Sequence, residues 1–295
     1  MEIKSLAGST MEQVYTAFGR AFSDYEVRFD LPLAKFEEML ATRDINFDYS
    51  IGCFDGEELV SFILCGYRKR GDLQFCYDGG TGTVREYRQQ GIGKRLVNAW
   101  LEDLRCREID QVTLEVLENN AAAITLYHKA SFQVSRNLSC YRRPKSEVPV
   151  TATPYVIDDD IQHYRTLDVT DLLTFQASWQ NAKESVLNVI DRYAYVGIMD
   201  GDRCIGYGLV HTVSGNIAQI GIAATHRNTG LEDVILSELA QRTNSESLTF
   251  VNVEQGDYIE EKLRTAGFDR FIGQYEMMYG FTSASSLSAH SCSSP

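Results

Sequence analysis

Two short patterns occur twice in this chain, in the same order and at nearly the same spacing. Arg88-x-x-Gly91 recurs as Arg227-x-x-Gly230, and Ala130-Ser131-Phe132 recurs as Ala266-Gly267-Phe268; the Gly-to-Phe separations are 41 and 38 residues. A duplicated pair of landmarks constrains the fold more than any single motif, because each copy must be a supersecondary unit built to one plan. The chain has 295 residues, enough for two lobes of ordinary domain size. Between the copies, residues 142–154 hold three of the five prolines, which reads as an extended linker. The expected organisation is a catalytic lobe at 1–145, a linker at 146–154, a second lobe at 155–281 and a Ser-rich disordered tail at 282–295.

The periodicities within each copy give an α/β pattern. In the first, helices are expected at 11–22 and 33–41 and a hairpin at 49–67 turning through Asp55-Gly56, with a third strand at 73–77. Ile92, Leu96, Val97, Trp100, Leu101 and Leu104 then have helical spacing; a strand at 112–116, a helix at 120–130 and a strand at 132–141 complete the unit. The second copy repeats this order: helices over 172–190, a hairpin at 195–212, a strand at 217–222, a helix at 231–243, a strand at 248–253 and a helix at 258–266.

Charge narrows the partners. The net charge is −13, and it is uneven: 19 basic and 22 acidic residues up to Glu147, 9 and 19 beyond it. Such a surface argues against nucleic-acid binding, which needs basic residues to neutralise phosphates. Neither a leader-like start nor a bilayer-length apolar run is present, so a cytoplasmic location without membrane is expected. The seven cysteines include no C-x-x-C pair and the five histidines show no ligand spacing, so buried thiols are expected rather than a metal site or a disulfide framework.

In this acidic chain one segment is built for an anion: Thr83-Val-Arg-Glu-Tyr-Arg88-Gln-Gln-Gly91-Ile-Gly93-Lys-Arg-Leu96. A strand ends, a glycine-containing loop follows, and a helix opens whose first amides are unpaired and carry the positive end of its dipole. Arg85, Arg88, Lys94 and Arg95 add charge of the same sign. A Walker loop would need Gly at position 88 and Ser or Thr at 95, and a dinucleotide fingerprint would need Gly at 96; the chain has Arg88, Arg95 and Leu96.

Arg88-Gln-Gln-Gly91-Ile-Gly93 resembles the Q/R-x-x-G-x-G/A signature of the GNAT acetyltransferase superfamily. The stretch Asn119-Asn120, Ala122, Leu126-Tyr127 and Phe132 is similar to its second signature, with Ser131 where the family prefers Gly. The resemblance covers nearly all of residues 1–145. It implies two tandem GNAT-like α/β lobes, each with a mixed sheet splayed between its fourth and fifth strands and flanked by helices. It implies further that the amides of Gln89, Gln90, Gly91, Ile92, Gly93 and Lys94, with Arg88, hold the pyrophosphate of acetyl-CoA. Val84 and Asn120 would meet the pantetheine arm, and Tyr127 would protonate the leaving thiolate.

N-acyl transfer to a primary amine of a small molecule or protein is then the expected activity. A lysine-like amine is mostly ammonium at pH 7, and freeing its lone pair costs about 4.6 kcal/mol. A base or water path must take that proton, and Asp78 and Glu115 are both candidates. The second copy departs where it matters: Glu232 stands in place of the second glycine and Leu263 in place of Tyr127, so this lobe is expected to have lost the cofactor and to shape the acceptor site or a homodimer surface. Two alternatives stay open, a regulatory module that binds acyl-CoA without turnover and an aminoacyl-tRNA-dependent peptidyl transferase; the acidic surface disfavours the latter.

Overall fold

The structure is a computed structural model that describes residues 1–23 and 31–281; the expected tail at 282–295 lies outside them. The chain forms two compact units, Met1–Ser135 joined by the C-terminal stretch from Glu276, and Arg136–Tyr275. These boundaries differ from those read off the proline-rich stretch, because the chain passes from one unit to the other within strands rather than within the linker.

The first unit contains β1 (Glu2–Ser5), α1 (Met11–Ala21), α2 (Leu33–Thr42), β2 (Ile51–Asp55), β3 (Glu58–Arg70), β4 (Leu73–Thr83), α3 (Ile92–Cys106), β5 (Gln111–Leu117) and α4 (Ala121–Lys129), and β6 (Gln133–Pro144) starts in it. β1 to β4 are antiparallel neighbours and β5 lies parallel to β4, as a connection through α3 requires. The edge of β5 away from β4 is covered by the final strand, β12 (Asp269–Gly280), whose last residues belong to this unit. There Phe281 N donates to Asp110 O at 3.0 Å and Arg105 Nη2 donates to Tyr279 Oη at 3.1 Å.

α1 begins where Thr10 and Gln13 form a reciprocal capping box, and Val14, Ala17, Phe18 and Ala21 bury its apolar face on Phe36, Phe62 and Leu64. Against expectation, β4 continues six residues past Tyr77. The extra residues, Asp78-Gly-Gly-Thr-Gly-Thr83, carry turn-like composition, yet a Cβ on Gly82 would stand 2.5 Å from Phe62 Cζ and 3.0 Å from Ala21 Cβ. The glycines let α1 and the Phe62 ring close onto the strand, and that packing overrides local propensity.

The second unit holds β7 (Val156–Asp158), α5 (Ile161–Thr166), α6 (Lys183–Asn188), β8 (Tyr193–Asp200), β9 (Arg203–His211), β10 (Asn216–Ile222), α7 (Leu231–Gln241), β11 (Ser247–Glu254) and α8 (Tyr258–Thr265). Its strands run in the order β12, β6, β11, β10, β9, β8, β7, with β10 and β11 parallel. The helices expected over 172–190 reduce to α6 and two single 3-10 turns, Trp179–Asn181 and Ile190–Arg192. Tertiary hydrogen bonds hold this stretch open: Asn181 Nδ2 donates to Val251 O at 2.8 Å and Lys183 Nζ to Leu167 O at 2.7 Å. Cys53, Cys65, Cys76, Cys140 and Cys204 are free thiols.

Candidate active site

In the first unit the β4–β5 ladder runs from Phe75 and Gln111 only as far as Asp78 and Leu114. β4 continues to Thr83 and β5 to Leu117 without pairing, so the two strands open a wedge whose walls offer unpaired backbone groups. At the wide end of β4, Val84 leads into a 3-10 turn, Arg85–Tyr87, and the chain then doubles back into α3. Two residues make the reversal with left-handed backbone, Gln89 at φ 63° and Gly91 at φ 72°. The first amide of this segment paired along the helix is that of Arg95, to Gly91 O at 3.2 Å. The amides before it belong to the helix's first turn, which no helical carbonyl can reach. Gln89, Gln90, Gly91 and Lys94 are exposed, and a Cβ on Gly91 would meet nothing within 4 Å, so open space fronts these donors.

Arg88 is bound to backbone carbonyls on both sides of the loop. Its Nε donates to Thr83 O at 3.0 Å and its Nη2 to Ala21 O at 2.7 Å, which ties the loop to the end of β4 and the end of α1.

Asn120 caps α4, its Oδ1 accepting from Ala123 N at 3.1 Å. About two turns further on, Tyr127 is 5% exposed, packed edge-on to Phe132, and its hydroxyl donates to Asp78 Oδ2 at 2.7 Å. Asp78 also accepts from Thr81 Oγ1 at 2.7 Å and from Gly80 N at 3.1 Å. Burial pushes its carboxyl above the usual range, opposed by these hydrogen bonds and by the Arg43 cation. The second candidate base, Glu115 on β5, accepts a hydrogen bond from the Tyr77 hydroxyl. Burial, and then the Glu115 charge, raise the Tyr77 phenol well above its ordinary value. Tyr77 was not singled out from the sequence; its position beside Asp78 at the end of the paired ladder was the available signal. Among the described residues no cluster of three or more His, Cys, Asp or Glu side chains is placed to hold a metal ion.

Residues 11–132 match the acetyltransferase (GNAT) family. The first lobe is a GNAT domain. Over 86 residues, 29% of this chain, the sequence is 28% identical to N-alpha-acetyltransferase 30 of Schizosaccharomyces pombe, and the matched part spans 57% of that relative's length. Solved structures share the fold across the whole chain. A tandem GNAT protein from the clavulanic acid biosynthesis pathway superposes with a TM-score of 0.69 at 12% identity, covering 95% of this chain and 98% of its own. A GCN5-related N-acetyltransferase from Sphaerobacter thermophilus gives 0.67 at 13% identity, covering 95% of each chain. The architecture is therefore that of tandem GNAT lobes, each with a mixed, splayed sheet.

The second GNAT-like lobe keeps the loop's shape, with Asn228 at φ 63° and Gly230 at φ 89°. Its chemistry is closed from within. Glu232, 5% exposed, turns its carboxylate onto the loop, where Oε1 accepts from Asn228 N at 3.0 Å; Tyr258 Oη accepts from the same amide at 2.8 Å. Its wedge is filled too: Asn181 O accepts from Gln219 Nε2 on β10 at 2.7 Å while Asn181 Nδ2 reaches Val251 O on β11. Leu263 takes the place of Tyr127, since Phe268 N donates to Leu263 O at 2.9 Å as Phe132 N donates to Tyr127 O at 3.0 Å.

Proposed function

We propose that this chain transfers an acyl group, acetyl in the first instance, from coenzyme A to a primary amine, using one acyl-CoA held by the first lobe. The observation that carries this reading is the Tyr127 hydroxyl held beside the point where β4 and β5 part, at the opposite end of the wedge from an exposed loop of unpaired amides. Gln89 to Lys94 would receive the pyrophosphate, with Lys94 adding charge and Arg88 fixing the loop. Val84 and the unpaired edge of β4 would receive the pantetheine arm, with Asn120 on its other side. When bound, acyl-CoA supplies an activated carbonyl with a thiolate leaving group; the protein's part is to hold amine and thioester together and to move two protons.

The occupied loop and wedge of the second lobe support a stoichiometry of one. The name of the fission-yeast relative makes an α-amino group at a protein N-terminus one acceptor class to test. Such a group has a pKa near 7.7–8.0, so freeing its lone pair at pH 7 costs only about 1 kcal/mol against about 4.6 for a lysine. Small-molecule amines are the other class. No described helix is long and apolar enough to cross a membrane, and we place the protein in the cytoplasm.

The test is an amine panel of small polyamines, amino sugars, lysine peptides and peptides with free N-termini, assayed with acetyl-CoA for released thiol and for acylated product by mass. Product that falls sharply in Tyr127→Phe supports the reading. Tight acetyl-CoA binding with no product from any amine would favour the regulatory module instead.

A further inference from the structure

The narrow end of the wedge carries two tyrosine–carboxylate pairs, and the sheet separates them. Tyr77 and Asp78 are consecutive in β4, so their side chains leave opposite faces. The register sets Tyr77 opposite Thr113 and Asp78 opposite Leu114. Glu115, two residues beyond Thr113, therefore shares the face of Tyr77 and takes its hydrogen bond there. Asp78 faces the other way, toward α4 and Tyr127.

Asp78 is 6% exposed, and both of its oxygens are engaged: Gly80 N donates to Oδ1, while Thr81 Oγ1 and Tyr127 Oη donate to Oδ2. A carboxylate gripped by three donors is poorly placed to collect a proton from an incoming amine and well placed to hold one phenol oxygen still. We infer that Asp78 is a positioning residue acting through Tyr127, and that Glu115 on the opposite face takes the acceptor's proton. This rests on the acyl-transfer reading above.

The proton work then divides by face. The amine nitrogen bonds to the acyl carbon as the carbon–sulfur bond breaks. The nitrogen's proton passes to Glu115 and on to solvent; the Tyr127 hydroxyl turns its one proton from Asp78 Oδ2 to the sulfur, and solvent restores it. Tyr77 faces Glu115 from β4, and Arg43, following α2, lies within Coulombic reach of Tyr77 and Asp78. Cys65, opposite Asp78 on β3, also feels its charge.

A double-mutant cycle read across pH tests the assignment, with acetyl-CoA and the best amine of the panel. Asp78→Asn should lower kcat on the order of tenfold to a hundredfold, as misplaced reacting groups do, with the amine KM and the rising limb of the pH–kcat profile unmoved. In a Tyr127→Phe background Asp78→Asn should cost nothing further. Glu115→Gln should abolish or displace the rising limb. Thr81→Val, which loosens Asp78 from its other side, should give a smaller kcat loss that is likewise absent without the Tyr127 hydroxyl, and it serves if Asp78→Asn does not fold. A rising limb lost in Asp78→Asn and kept in Glu115→Gln, or losses at Asp78 and Tyr127 that multiply, would overturn the assignment while leaving acyl transfer standing. A wild-type protein that acylates no amine would overturn both.

Discussion

Ending the chain at Tyr275 should unfold the first unit, although it removes nothing from residues 1–135. The deleted strand end buries Met277 completely and sets the Tyr279 ring 5.5 Å from Phe132. It also supplies the hydrogen bonds Phe281 N to Asp110 O and Arg105 Nη2 to Tyr279 Oη. Burying the methionine contributes about 1.5–3 kcal/mol, the ring pair about 0.5–1.5 and the two hydrogen bonds about 1 each, so roughly 4–6 kcal/mol is lost. Whole domains have only about 5–15 kcal/mol to lose. The edge of β5 would be bared as well, a template for aggregation. The comparison is 1–275 against 1–281, by thermal melting followed with circular dichroism and by light scattering on a sizing column. At about 2–4 °C per kcal/mol for units of this size, the melting point should fall by about 8 °C or more, if a folded monomer survives at all. A monomeric 1–275 melting within about 2 °C of 1–281 would refute the reasoning. A fragment ending at 145 should fail for the same reason, since it lacks the same stretch of the first unit from Glu276.

Gly91→Ala and Gly230→Ala should be alike in stability and unlike in binding. Both residues are left-handed, at φ 72° and 89°, and neither Cβ would clash, so each change should cost about 1–2 kcal/mol of stability by denaturant titration. Only Gly91→Ala should weaken acetyl-CoA binding, at least tenfold by calorimetry; equal effects on binding would contradict a single site. Asp78→Asn should lower turnover and remove one component of the pH dependence of stability. Burial raises the folded-state pKa of Asp78, so its favourable contribution is present at pH below the unfolded value and is lost as pH rises through the folded one. The stability of wild type relative to Asp78→Asn, read from melting curves, should therefore fall as the pH is raised above the ordinary carboxylate range; a wild-type advantage that grows with pH would show the opposite sign.

The sequence revealed what local pattern encodes and hid what only packing decides. The six apolar residues of α3 announced their helix because each is buried, and the loop from Val84 to Gly91 was legible because a left-handed Gly91 and a helix start leave a recognisable spacing. The strand was expected to end at 77 because the reasons for the glycines beyond it lie elsewhere in the chain: Ile45 against Gly79, and α1 and Phe62 against Gly82. The stretch 172–190 looked helical because Asn181 and Lys183 reveal nothing locally about the carbonyls they will reach. That β6 and β12 change units could not be read at all, since a strand's alternation says which face is buried and not which partner it pairs with. At the candidate site, Tyr127, Asp78 and Glu115 could be named from the sequence, but that the sheet sorts them into separate pairs needed the β4–β5 register. Arg88 was recognised as part of the loop, while its bonds to Thr83 and Ala21 were invisible.

The carboxylate of Glu232 gives the second lobe a history as well as a structure. The loop from Arg227 to Leu231 keeps the backbone of an anion receptor, and the anion it receives is attached to its own helix. Tethering turns a bimolecular encounter into an intramolecular one, with an effective concentration no dissolved metabolite matches. That loop is in effect permanently saturated: its own side chain holds its shape, with no dependence on any dissolved ligand.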